Sequence, residues 1–149
     1  MSIQEIKIRI HRAAIEAARD ADEISLIAVS KVQPNARVQA VLEAGHKTFG
    51  ENRVQEAFGK WPDFQQTFGK LDLHLIGPLQ TNKARQAVEL FGTIHSVDRP
   101  KLATTLARLA QERGMSGYVQ KVPRFHFGGC QIHQIQGGKI LANPGGTLG

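Results

Sequence analysis

Cysteine is nearly missing from this chain. Cys130 stands alone, so no internal disulfide framework can form, and a reducing compartment suits the protein. Long apolar runs are missing too. The longest, such as Ile24 to Val29, are strand-sized, far below a membrane span. The N-terminus mixes acidic and basic residues within its first turns and has no signal-peptide core. These absences predict a soluble, cytoplasmic protein. The 149 residues suit one domain with a real core. They fall short of a complete eight-stranded β/α barrel, which needs about 250 residues.

Acidic residues run out early: none follows Glu112. The net charge of +6 is therefore unevenly spread. Residues 1–113 are well mixed, whereas residues 114–149 carry only Lys121, Arg124 and Lys139, with nine of the fifteen glycines. A nucleic-acid surface needs a concentrated basic patch, so this mild excess argues against one.

Before Gly114, helical and strand-like segments alternate. Ile3, Ile6, Ile10, Ala14 and Ala17 recur at helical spacing. Ser25–Ser30 reads as a buried strand, and Pro34 opens a helix that Gly45 ends. Thr48-Phe49-Gly50 is a weaker strand, followed by a short helix from Arg53 to Lys60 before Trp61-Pro62. Trp61 and the phenylalanines between 49 and 68 then anchor the loop joining the second and third units. Leu71–Ile76 predicts a third strand and Gln80–Phe91 a helix stopped by Gly92. Thr93–Val97 predicts a fourth strand, with Asp98 capping a helix that runs to Gly114. Strands alternating with helices imply a parallel sheet covered by helices. The expected organisation is an α/β unit over 1–113 and a tail over 114–149 of loop, weak hairpin or disorder.

Polar clusters follow the ends of the predicted strands: Ala28–Lys31, Phe49–Asn52, His74–Lys83 and Ile94–Asp98. Ligands bind at the carboxyl ends of strands in parallel β/α architectures, so these clusters would converge on one mouth. Lys31 has two readings. One is a strand-end lysine reaching solvent. The other is a nucleophilic amine with a buried base, its pKa lowered by desolvation, ready to form an imine with an aldehyde.

Four motifs occur in order: Leu26-Ile-Ala-Val-Ser-Lys31, Phe49-Gly-Glu-Asn-Arg-Val-Gln-Glu56, His74-x-Ile-Gly-x-Leu-Gln-x-Asn-Lys83 and Ile94-His-Ser-Val-Asp98. Through them, residues 1–113 resemble the pyridoxal 5′-phosphate homeostasis protein family, relatives of the barrel domain of alanine racemase. The resemblance implies the first half of a (β/α)8 barrel. It implies that Lys31 holds pyridoxal 5′-phosphate as a Schiff base, with Asn52, Ser96, Gln80 and Asn82 near the cofactor. It also implies a role in vitamin B6 and amino/keto-acid balance without established turnover. The family's later Met-Ser and Arg-x-Gly segments, which grip the phosphate, have no counterpart in this sequence. Met115-Ser116 lies well before the family's pair. With the composition break at Gly114, this suggests a truncated or frameshifted product with weakened binding, which would self-associate through its open side.

Two rival functions stand beside that reading. A racemase-like enzyme needs a second acid/base, and the single tyrosine, Tyr118, lies past the matched region. A non-functional fragment or basic interaction module would rest on the tail. His126-x3-Cys130-x2-His133 is a weak metal-ligand grouping with no fourth ligand. His74 and His95 are read as packed or hydrogen-bonded, the alternative being to line the mouth. Glu51 is read as structural, and Lys83/Arg85 and Arg108/Arg113 as solvated helix faces.

Overall fold

The structure, a computed structural model, describes residues 1–113 in full and, beyond them, the backbone of three strands, Phe125–Phe127, Cys130–Gln136 and Lys139–Ala142. The first part opens with helix α1 (Ile3–Glu16), started by a reciprocal cap between Ser2 and Glu5. Four strand–helix units follow. They are β1 (Ala28–Val29) with α2 (Asn35–Glu43), and β2 (Thr48–Glu51) with α3 (Val54–Phe58) and α4 (Trp61–Phe68). Next come β3 (Asp72–Leu75) with α5 (Ala84–Leu90), and β4 (Thr93–Ile94) with α6 (Pro100–Glu112).

The strands lie in the order β1-β2-β3-β4, all parallel. Sequential order without reversal is the winding of a β/α barrel, not of a doubly wound sheet, whose order reverses at a switch point. Repeated right-handed crossovers then place successive helices on the same side. Burial bears this out. Register aligns Ala28, Phe49, Leu73 and Glu51, Leu75, Ile94 on one face, and all but half-buried Ala28 are sealed there. Leu102, Leu106 and Leu109 of α6 complete that core with no more than 2% exposure. The opposite face carries Ile27, Val29, His74, Ile76 and His95, none of them fully buried. Half a barrel thus has a sealed outer layer and an open inner one.

Several boundaries differ from the sequence expectation for identifiable reasons. β1 is confined to two residues because it has a single neighbour, and pairing begins at Ala28 opposite Phe49. Trp61-Pro62 was expected to follow the end of a helix, yet it begins α4, since a proline in the first turn sacrifices no intrahelical bond. Asp98 does not cap α6: the N-cap residue is Arg99, and the Asp98 carboxylate pairs with its guanidinium. Gly45 adopts φ +82° after α2, the left-handed stop that glycine provides.

Beyond residue 113 the sequence suggests loop, weak hairpin or disorder. There the backbone forms β5 (Phe125–Phe127), β6 (Cys130–Gln136) and β7 (Lys139–Ala142), an antiparallel sheet in the order β5-β6-β7. Phe127 faces Cys130 and Gln136 faces Lys139. Among the described residues, no helix is long and apolar enough to cross a membrane.

Leu106 is fully buried at the centre of the α6 contact with the sheet. Leu106→Ala is expected to cost about 2–5 kcal/mol. Chemical denaturation of both chains measures it.

Candidate functional site

Ser30 ends the first strand segment, and its N–H still donates to the Gly50 carbonyl at 3.0 Å. Its hydroxyl turns to the sealed face and donates to Glu51 Oε1 at 2.8 Å. Two further donors meet that oxygen at 3.0 Å, Lys60 Nζ and Trp61 Nε1. Lys60 Nζ also donates to the Ser30 carbonyl at 2.8 Å. Glu51 is wholly buried and Lys60 is 9% exposed, so this is an ion pair held inside the protein. Charges in that position must be paired and hydrogen-bonded to be tolerated. Among the described residues Glu51 Oε2 has no partner, so Oε1 concentrates the contacts.

This node clamps the turn that follows. Lys31 and Val32 form the turn that follows β1. Val32 adopts φ +56°, a strained conformation for a β-branched residue. Its N–H is held by Glu56 Oε1 at 2.7 Å, and Gln33 N–H donates to the Ser30 carbonyl at 3.1 Å. Lys31 is therefore carried by a fixed backbone, but its side chain is exposed and has no hydrogen-bond or ion-pair partner among the described residues. The expectation of a buried base for Lys31 fails. β1 is the edge of the sheet, and nothing described covers its open face.

The other strand ends meet through Gly77. A Cβ there would lie 2.1 Å from the Asn52 carbonyl oxygen, so only glycine permits the approach. The Gly77 carbonyl accepts a hydrogen bond from Ser96 Oγ. Asn52 and Ser96, two of the sequence candidates, are thereby brought to one place, both half-buried. Gln80 lies with Asn52 along a cavity of about 590 Å³ at the ends of β2 and β3. Asn82 is exposed on the 3-10 turn Thr81–Lys83 and is not part of that lining. Sequence reasoning quoted Ser30 and Gly77 within motifs without assigning them a role, and missed Lys60. The signal for Gly77 was its place inside the His74–Lys83 motif. Lys60 gave none, because a lysine before a Trp-Pro pair looks solvated.

On the open face His74 Nδ1 and His95 Nε2 are 2.8 Å apart in stacked rings, and His74 Nε2 lies 3.0 Å from Asp72 Oδ2. Both histidines are thus hydrogen-bonded, as read from the sequence. His126, Cys130 and His133 fall on β5 and β6, whose side chains are outside the described structure, and Tyr118 is outside the described residues.

Comparison with known proteins covers about three quarters of the chain. The pyridoxal phosphate homeostasis protein of Pseudomonas aeruginosa is 43% identical over 112 residues, 75% of this chain and 46% of the relative. That of Escherichia coli is 40% identical over 106 residues, 70% of this chain and 45% of the relative. Among solved structures, PipY of Synechococcus elongatus with pyridoxal phosphate bound is 46% identical with a TM-score of 0.60, over 70% of this chain and 49% of its own. A protein of unknown function from Bifidobacterium adolescentis gives 31% identity and a TM-score of 0.68, over 74% of this chain and 49% of its own. No family model matches the chain. The chain is therefore similar to pyridoxal phosphate homeostasis proteins, as the four motifs implied, and spans about half the length of the curated relatives it matches.

Two outcomes follow for the site. Lys60→Ala leaves the Glu51 charge buried without its partner and is expected to cost about 3–5 kcal/mol in chemical denaturation. Burial holds the His95 imidazole below its ordinary value of 6.5, and His74 adds to the effect. Protonation then favours the unfolded chain, so this stability is complete above pH 6.5 and is lost as pH falls through the folded value. Melting temperature should drop on moving from about pH 7 to about pH 5, and drop less in His95→Gln.

Proposed function

We propose that residues 1–113 form a unit that binds pyridoxal 5′-phosphate covalently through Lys31 and serves the balance of vitamin B6 forms and of amino and keto acids. The observation that carries this is the Lys31 turn. A primary amine, free of partners among the described residues, is held at the carboxyl end of the first strand by a buried ion pair. The chemistry supplied by the bound group is an aldehyde carbon open to condensation with a primary amine, with loss of one water. The chain's part is to fix where that amine stands and to set neutral polar groups at the strand ends. Asn52 and Ser96 are positioned through Gly77, Gln80 lines the same cavity as Asn52, and Asn82 stands exposed on the following turn.

These residues fit the aldehyde end of the cofactor, since an exposed lysine is reachable and its backbone is held by hydrogen bonds. The similarity to PipY, whose structure is described with pyridoxal phosphate bound, supports the same choice. Residues 114–149 stand outside this unit in the reading proposed.

The absorption spectrum of the purified chain with added pyridoxal phosphate tests the assignment. A saturable near-violet band is expected, absent in Lys31→Ala and kept in Lys101→Ala, an exposed lysine on α6. An equal band in the Lys31→Ala chain would overturn it.

A further inference from the structure

The cavity at the ends of β2 and β3 gathers charge of one sign. Arg53, Lys83 and Arg99 line it, and no acidic residue does. Elsewhere the arginines of this chain are commonly neutralised: Arg85 and Arg108 pair with Glu112, and Arg113 pairs with Glu89. In the cavity, Arg53 has no hydrogen-bond or ion-pair partner among the described residues, and Lys83 has only a long contact with Gln55 Oε1 at 3.5 Å. Arg99 plays a different part. Its Nη2 donates to the Leu79 carbonyl at 2.7 Å and to Thr81 Oγ1 at 3.1 Å, and its Nη1 pairs with Asp98. It braces the loop that carries Gln80 and Lys83, and leaves Arg53 and Lys83 as the two uncompensated cations.

We propose that this cavity is an oxyanion site for the phosphate group of a small organic phosphate, held by Arg53 and Lys83. Gathering cations without counter-charge is unfavourable in the empty site, and a bound anion removes that repulsion. The two free cations match a phosphate dianion, whereas a monocarboxylate satisfies one. Neutral donors stand beside them in the side-chain amides of Asn52 and Gln80. Val54 and Leu79, both buried, and Pro78 give the remaining wall an apolar surface for the organic part. A volume of about 590 Å³ accommodates a metabolite-sized molecule. Lys31 is not among the lining residues, and the site does not depend on covalent attachment there.

The test uses the full chain carrying Lys31→Ala, which removes the proposed covalent link and so separates this result from the fate of the near-violet band. Inorganic phosphate is titrated by calorimetry at ionic strength held constant with chloride, with acetate as the comparison. Saturable phosphate binding is expected, roughly tenfold weaker when Arg53→Gln or Lys83→Gln is added, because each removes a charge-assisted contact. Acetate should bind more weakly than phosphate. Thermal melts of each variant confirm that the fold is retained, and both residues lie at the rim, away from the core. Absence of saturation, affinity unchanged in both glutamine variants, or acetate binding as tightly as phosphate would overturn the proposal.

Discussion

Glu51 is a carboxylate with no access to solvent, and a chain that buries such a group must supply its counter-charge and donors from nearby. Here the supply comes from three residues at two places in the chain. Ser30 closes the first strand segment, Lys60 precedes α4, and Trp61 begins it. The requirement therefore ties the ends of β1 and β2 to the α3–α4 corner. It also fixes the geometry of the turn after β1, since the Ser30 carbonyl bound by Lys60 belongs to the peptide that leads into Lys31. The strained Val32 turn persists because the hydrogen bonds around it over-determine its position.

The open face follows from the winding. Four sequential parallel strands bury one side under their crossover helices and leave the other facing inward, toward what a closed barrel would fill with layered side chains. Gly50 is crowded there by Ile27 and Ile76, and His74 stacks on His95, so this face is packed locally without being sealed. Exposed Val29 and Val32 sit at its edge. That openness leaves Lys31 accessible.

The winding and the strand-end clusters were legible in the sequence because both are periodic or local. Apolar alternation locates strands, and motif order carries a family resemblance that similarity at about 40% identity supports. Contacts that join distant residues through a single atom were not legible. Nothing in Lys60 announces that its ammonium reaches the Ser30 carbonyl thirty positions away. Gly77 could be noticed but not explained until the Asn52 backbone was seen beside it. Trp61-Pro62 was misread because the same dipeptide can follow one helix and begin another, and only the aromatic packing of Phe49, Trp61 and Phe64 decides between them. Glu51 was read as structural, and its burial agrees.

The central claim is that one lysine, set by the buried pair beneath it, is the attachment point. Borohydride trapping of the chain with pyridoxal phosphate, followed by peptide mass mapping, tests it most directly. The account predicts a label concentrated on the peptide containing Lys31 at substoichiometric cofactor. A label spread over the exposed lysines, Lys7, Lys47, Lys70 and Lys101 as heavily as Lys31, would contradict it.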